Sequence, residues 1–208
     1  MSKEISYASG TSDKPLLGDT IGDKFDEISS KYSEREAIVS IHQNIRFTYK
    51  ELAKEVNTLA KALISSGFKK GERIGIWSSN NVEWLITQYA AAKAGVILVT
   101  INPAYRSHEL DYVLGQSGCK GLILQNQFKT SDYESMICEI CPEIKDVNPG
   151  ELKSNKFENL TTIISMTSSK VKGIFNWEDF LNLSSSIDNK KLKSRQEDLD
   201  SDDAINIQ

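Results

Sequence analysis

Residues 71–124 constrain this chain more than any other stretch: GERIGIWSSNNVEWLITQYAAAKAGVILVTINPAYRSHELDYVLGQSGCKGLIL. Short apolar runs alternate here with helical patterns, and the connections are brief. Arg73-Ile-Gly-Ile-Trp77 reads as a strand. Ser79, Asn80 and Asn81 then offer caps for a helix over residues 82–93, whose apolar stripe is Val82, Leu85, Ile86, Tyr89 and Ala90, with Gly95 as its stop. The run VILVTI over 96–101 is continuously apolar, as a strand covered on both faces should be. Asn102-Pro103 breaks it, Ser107 can cap a helix to about 117, and Gly118 leads to a strand over 120–124. Strands separated by single helices imply a mainly parallel α/β sheet with right-handed crossovers.

The flanks extend this pattern. Thr20 can cap a helix to about residue 31. Residues 37–40 and 45–48 read as a small hairpin around His42-Gln-Asn44. Thr48-Tyr-Lys-Glu51 is a capping box opening a strong helix that Gly67 ends. Thr130 or Ser131 can start a helix through Ile140, closed by Pro142. Beyond it, TTIIS over 161–165 suggests a strand, and Asn176 a short helix. Residues 1–19 lack periodicity and are expected to form an extended lead-in. Residues 184–203 carry a basic cluster and then an acidic one, and are expected to form a solvated charged linker or helix. Residues 204–208 (AINIQ) look like the opening of a further strand.

Composition narrows the function classes. A net charge of −4 over 208 residues argues against a nucleic-acid partner, which selects for basic faces. No apolar run approaches the roughly 20 residues of a membrane helix, so no transmembrane segment is expected. The first 20 residues have no arginine and include Glu4, Asp13 and Asp19, so no mitochondrial presequence is visible. Cys138 and Cys141 are spaced C-x-x-C, but no second ligand pair accompanies them and the chain has only two histidines, His42 and His108. They read as reduced, half-buried thiols. No nucleophile, general base or metal ligand can be assigned.

The phrases GERIGIWSSNNVEW, AAAKAGVILVTINPAYRSHELDYVL and SGCKGLI resemble the N-terminal part of adenylate-forming (AMP-binding) acyl-CoA synthetases. The lead-in ISYASGTSDKPLLGDTIGDKF, with QFKTSDY, ICPEI and NPGELKS, is most similar to the medium-chain acyl-CoA synthetase family member two type. The resemblance implies a partial N-terminal ligase domain over residues 20–183. It implies that residues 204–208 are the first strand of a nucleotide-binding part. It also implies a reaction through an acyl adenylate to an acyl-CoA thioester, with medium-chain fatty acid and CoA as substrates and ATP and Mg as cofactors of the full-length enzyme. The Thr/Ser/Gly-rich phosphate loop that such a strand leads into does not occur in these 208 residues. The chain alone is therefore expected to be catalytically incompetent and to bind none of these cofactors tightly; the alternative is a non-catalytic binding or dimerisation module, or an inert truncated product. The resemblance points to mitochondria and the missing presequence to the cytoplasm. An exposed sheet edge would favour self-association.

Two places are candidates for ligand contact. Lys129, between a strand and the helix that Thr130 or Ser131 starts, is placed to meet a CoA phosphate as a cation near free helix amides. Asn102, Tyr105 and Arg106 follow the most buried strand and are placed to line a substrate channel, since ligands of open α/β sheets gather at the carboxyl ends of strands.

Overall fold

The computed structural model describes residue 10, residues 13–14 and residues 16–208. The lead-in expected over residues 1–19 falls largely outside them. The chain runs α1 (Ile21–Lys31), β1 (Glu36–Ser40), β2 (Ile45–Thr48), α2 (Tyr49–Ser65), β3 (Arg73–Trp77), α3 (Val82–Ala94), β4 (Ile97–Ile101), α4 (Ser107–Ser117) and β5 (Gly121–Leu124). It continues through β6 (Gln127–Phe128), β7 (Ser131–Asp132), α5 (Tyr133–Ile140), β8 (Thr162–Ser165), β9 (Ile174–Asn176), α6 (Trp177–Asn182), α7 (Asn189–Glu197) and β10 (Asn206–Ile207).

The main sheet has the order β10-β4-β3-β5-β8-β9, and every neighbouring pair in it is parallel. β1 and β2 form a separate antiparallel hairpin. The expected mainly parallel sheet with flanking helices and a small hairpin is what the chain adopts.

Both faces of the sheet are covered, which explains the uninterrupted apolar strands. Ile74, Ile76, Leu98, Ile123 and Ile164 point to one face, under α1, α2, α3, α6 and α7. Trp77, Val99, Ile101, Leu122 and Leu124 point to the other, under α4 and α5. Gly75 sits on this second face because a Cβ there would come within 3.1 Å of both Ile101 Cδ1 and Leu122 Cδ1.

Local chemistry fixes the ends of the elements. Thr48 and Glu51 form the capping box of α2. Asn81 caps α3 by accepting from the Trp84 amide, and Gly95 ends it in a left-handed turn at φ 69°. Three boundaries differ from expectation. α4 is capped at Arg106, whose amide donates to Glu109 Oε2 at 3.0 Å, while the Ser107 hydroxyl donates instead to Glu139 across the gap to α5. α5 begins at Tyr133, capped by Asp132, which accepts from the Ser135 amide. The residues expected to start that helix belong to the β6–β7 hairpin.

The third difference is the largest. Residues 184–203 contain a helix, one of the two forms expected, but it is docked on the core rather than solvated. Asp188 caps α7 by accepting from the Lys191 amide, and Leu192 is buried in the core under α3. Arg195 donates to the carbonyls of Phe68 and Ala94, and Lys70 pairs with Asp203 at 2.7 Å. One apolar side chain and a few polar contacts, from Arg195, Gln196 to Asp26 and Asn189 to Lys61, dock a helix whose remaining surface is polar and charged. No described helix is long and apolar enough to cross a membrane.

Candidate functional site

The topology itself nominates a crevice. β3 continues into α3 on one face of the sheet, and β4, its neighbour, continues into α4 on the other. Where adjacent strands send their following helices to opposite faces, the loops at their carboxyl ends part and leave room for a ligand. An open groove of about 1230 Å³ lies there. Ser78, Ser79 and Asn80 after β3 and Asn102, Pro103 and Tyr105 after β4 line its mouth. From there it runs along β4 and the flank of α4 past Val99 and Tyr112.

The mouth is held in place by buried aromatic and amide groups. Trp77, fully buried, donates from its indole Nε1 to the Asn102 carbonyl at 3.2 Å. Tyr133 Oη donates to the Pro103 carbonyl. Burial of this hydroxyl, away from any charge that would favour its phenolate, pushes its pKa up to about 12. Gln125, the residue after β5, accepts at one oxygen from the Ser78 hydroxyl, the Ser79 hydroxyl and the Ser79 amide. Beside it, Asn126 accepts from the Ser165 and Thr167 hydroxyls, and Glu134 accepts from Ser165 and Ser169. The carboxyl ends of β3, β5 and β8 are thereby joined by side-chain hydrogen bonds.

The structure divides the sequence candidates. Asn102 and Tyr105 both line the groove, and the Asn102 side chain accepts from the Ala104 amide, fixing the turn. Arg106 is directed away from it: its Nη1 donates to the Ser131 hydroxyl at 2.6 Å, tying the loop after β4 to the β6–β7 hairpin. Lys129 is not at a helix N-terminus. It occupies the hairpin tip at φ 53°, exposed, with its ammonium 5.3 Å from the centre of the Phe128 ring. At the start of α5 the Ser135 amide donates to the Asp132 carboxylate and the Tyr133 amide to the Asn126 carbonyl, because the short hairpin intervenes between β5 and the helix.

Sequence reasoning passed over Gln125, Asn126, Tyr133 and Glu134. A signal existed for the first two: polar amides directly after an apolar strand are poised at its carboxyl end. Tyr133 and Glu134 carried none, since their partners lie 30 and 31–35 residues away.

The thiols are inert by environment. Cys119, Cys138 and Cys141 are all free and buried. Burial raises the thiol pKa of each, to about 11 at Cys119 and Cys141. Among the described residues, no three His, Cys, Asp or Glu side chains gather as a metal site.

Comparison with known proteins fits this architecture. The chain is 40% identical over 205 residues to the mouse medium-chain acyl-CoA ligase ACSF2, mitochondrial, covering 98% of this chain and 33% of that protein. It is 36% identical over 203 residues to the zebrafish protein of the same name, again covering 98% of this chain and 33% of the relative. The chain thus spans about a third of the length of these relatives. Among solved structures, a long-chain-fatty-acid–CoA ligase (FadD1) from Archaeoglobus fulgidus superposes with a TM-score of 0.62 at 20% identity, covering 89% of this chain and 33% of that one. The N-terminal domain of FACL13 from Mycobacterium tuberculosis superposes with a TM-score of 0.59 at 20% identity, covering 82% and 36%. These two likenesses concern the fold. Residues 25–208 match the family described as AMP-binding enzyme, and the chain belongs to that family.

Proposed function

We propose that this chain is the amino-terminal scaffold of an ATP-dependent fatty acid–CoA ligase acting on medium-chain acids through an acyl adenylate. The observation that carries the reading is 40% identity to a medium-chain acyl-CoA ligase along 98% of the chain. The switch-point groove supports it, because it offers an elongated, partly apolar space at the carboxyl ends of parallel strands. Asn102 and Tyr105 would contact the acyl or pantetheine arm there. Lys129 would meet a CoA phosphate from the hairpin tip, as a point charge without help from helix amides. The names of the relatives favour a mitochondrial location.

The residues present do not fit ATP. Phosphates are cradled by successive free amides in a glycine-rich loop. Here two amides at the start of α3 are already taken, Val82 by Gln43 and Trp84 by Asn81, as are two at the start of α5, Tyr133 by the Asn126 carbonyl and Ser135 by Asp132. No adenylation step is therefore assigned to these residues.

The test has two arms. The chain alone, incubated with ATP, octanoate and CoA, is expected to release no pyrophosphate above background. Fused ahead of the remaining two thirds of the mouse relative, it is expected to form octanoyl-CoA. Pyrophosphate release by the chain alone, or an inactive but folded fusion, would overturn the reading. A second reading, a self-associating module, draws on the open edge at β10, where Ile207 is 44% exposed. Its measure is a concentration-dependent mass in solution.

A further inference from the structure

Away from the switch point, α1 and α2 leave a second trough between them, open and of about 690 Å³. It shares no lining residue with the first groove. Both helices turn their apolar residues to the core: Phe25 from α1, and Val56, Leu59 and Leu63 from α2. The stripe that α2 turns to the trough is Lys50, Lys54, Asn57 and Lys61. Steps of four, three and four residues keep these on one helix face. Among the described residues, Ala53 is the only apolar one in the lining.

Two buried oxygens border this trough without a hydrogen-bond partner among the described residues. Ser29, 4% exposed, leaves its Oγ unpaired on the α1 wall. Asn57 leaves its Oδ1 unpaired on the α2 wall. Buried polar atoms are nearly always paired, so an orphan on each wall marks a place for the polar groups of a ligand. A carboxamide oxygen only accepts, so the ligand must bring a donor to Asn57, while the Ser29 hydroxyl can donate to a carbonyl.

The charges around these atoms are not balanced. Asp26 is occupied by Lys93 and Gln196, and Glu34 lies 3.9 Å from Lys50. Lys61 donates to the neutral side chain of Asn189 at 2.6 Å. Lys54 is exposed, and its ammonium makes no hydrogen bond or ion pair with a described residue. Lys54 and Lys61 thus flank Asn57, about one turn away on either side, without a carboxylate of their own. They are ~10 Å apart along the helix axis, the length of about three residues of extended chain.

We propose that the α1–α2 trough binds an extended acidic peptide segment of a protein partner. Two carboxylates three residues apart meet Lys54 and Lys61. A backbone N–H between them donates to Asn57 Oδ1, and a backbone carbonyl accepts from Ser29 Oγ. An extended chain suits the trough better than a compact anion does. The α2 stripe is ~16 Å long, and the donor that Asn57 requires is repeated at every residue of a peptide but absent from a simple carboxylate. Neither the switch-point groove nor ligase chemistry enters this interaction.

The test is fluorescence anisotropy of the 208-residue chain with labelled Gly-Glu-Ala-Ala-Glu-Gly and its counterpart Gly-Gln-Ala-Ala-Gln-Gly. The acidic peptide is expected to bind at least about tenfold tighter. Lys54→Glu, an exposed change, should remove most of that preference, and changing one peptide glutamate to lysine should restore binding to this variant. N-methylation of both peptide alanines deletes the donors for Asn57 and should weaken binding about tenfold. Asn57→Leu should weaken binding while raising the melting temperature of the free chain, because the orphan oxygen is gone; an asparagine with a purely structural role would lower it. If Asn57→Leu does not fold, Lys54→Glu and the N-methylated peptide carry the test. No saturable binding of the acidic peptide up to about 1 mM overturns the proposal. So does equal affinity for the two peptides, or acidic-peptide binding unmoved by Lys54→Glu. Displacement of the acidic peptide by an equal concentration of inorganic phosphate overturns it as well, making the trough a site for small anions.

Discussion

Trp77 and Tyr133 lie face to face, their ring centroids 3.6 Å apart and their planes within 5°. They donate to consecutive carbonyls of one loop, those of Asn102 and Pro103. The mouth of the groove thus rests on an aromatic pair contributed by β3 and α5. Tyr133→Phe keeps the stack and removes one of the two bonds, leaving a carbonyl without its donor. We expect a loss of about 1–2 kcal/mol in urea unfolding, with faster amide exchange at Ala104 and Tyr105. Unchanged exchange there would show that the tyrosine hydroxyl does not hold the loop.

Alkaline pH should loosen the fold through its buried thiols and phenol. Tyr133 is raised from 10.0 to about 12, and Cys119 and Cys141 from 9.0 to about 11, in each case first by burial. An acid with a raised folded pKa keeps its proton in the native state while the unfolded chain loses it. Its contribution to stability is complete below the unfolded pKa and disappears as pH rises through the folded one. The urea midpoint is therefore expected to fall steadily from about pH 9 upward. Cys119→Ala should make that decline shallower, and an identical slope would discount the thiol.

The ion pair between Lys93 and Asp26 should respond unequally to loss of either member. The two meet at 2.5 Å, but the lysine side chain is 2% exposed and the aspartate 42%. Asp26→Ala strands a charge in the interior and is expected to cost about 3 kcal/mol. Lys93→Met removes the buried charge and leaves Asp26 near water with Gln196 still donating to it, so the cost should stay below about 1.5 kcal/mol. Equal losses in thermal or urea melts would mean that the ammonium reaches water.

Gly95 is a sensitive position for the docking of the 189–203 segment. It ends α3 at φ 69°, and a Cβ there would sit 2.5 Å from Leu199 Cδ2. Gly95→Ala is expected to cost about 2 kcal/mol through backbone strain. It should also release α7, exposing Lys190, Lys191, Lys193 and Arg195 to trypsin. Wild-type resistance to the protease in a destabilised variant would separate the two effects.

Lys129 offers a charge change at small structural cost. Its φ of 53° suits glycine, so Lys129→Gly should leave stability unchanged or slightly higher. In the fused ligase, this variant and Lys129→Glu should both raise KM for CoA with kcat unaltered. A rise with glutamate alone would indicate repulsion rather than a lost contact.

Residues whose structure follows from their neighbours in sequence were legible. Thr48 with Glu51, Asn81 with Trp84, and Gly95 and Gly118 as helix stops are set by bonds spanning a few residues, and the apolar runs of β3, β4 and β5 follow from cover on both faces. What escaped depends on distant partners. Ser107 has the chemistry of a cap, yet its hydroxyl finds Glu139, 32 residues on. Thr130 and Ser131 lost the start of α5 to Asp132 because a two-residue-strand hairpin carries too little pattern to announce itself. α7 shows almost no amphipathic stripe, since a single buried leucine and scattered polar contacts from Asn189, Arg195 and Gln196 dock it. The candidate site divided in the same way: Asn102 and Tyr105 follow from strand polarity, whereas the turning away of Arg106 is decided by Ser131 on another element.

The attachment of α7 also bears on how the chain folds as it is made. Arg195 reaches back 127 residues to Phe68 and 101 residues to Ala94. β10 pairs with β4 across a similar span, with Asn206 opposite Leu98. Contacts of such large sequence separation form slowly, because the intervening chain must first be drawn together. On a ribosome, the α1–α3 layer would emerge long before the helix that covers it. A nascent chain would hold the bare flank of α3 open until Arg195, 101 residues beyond Ala94, has emerged, which makes this flank a natural place for a chaperone to bind and for a stalled chain to aggregate.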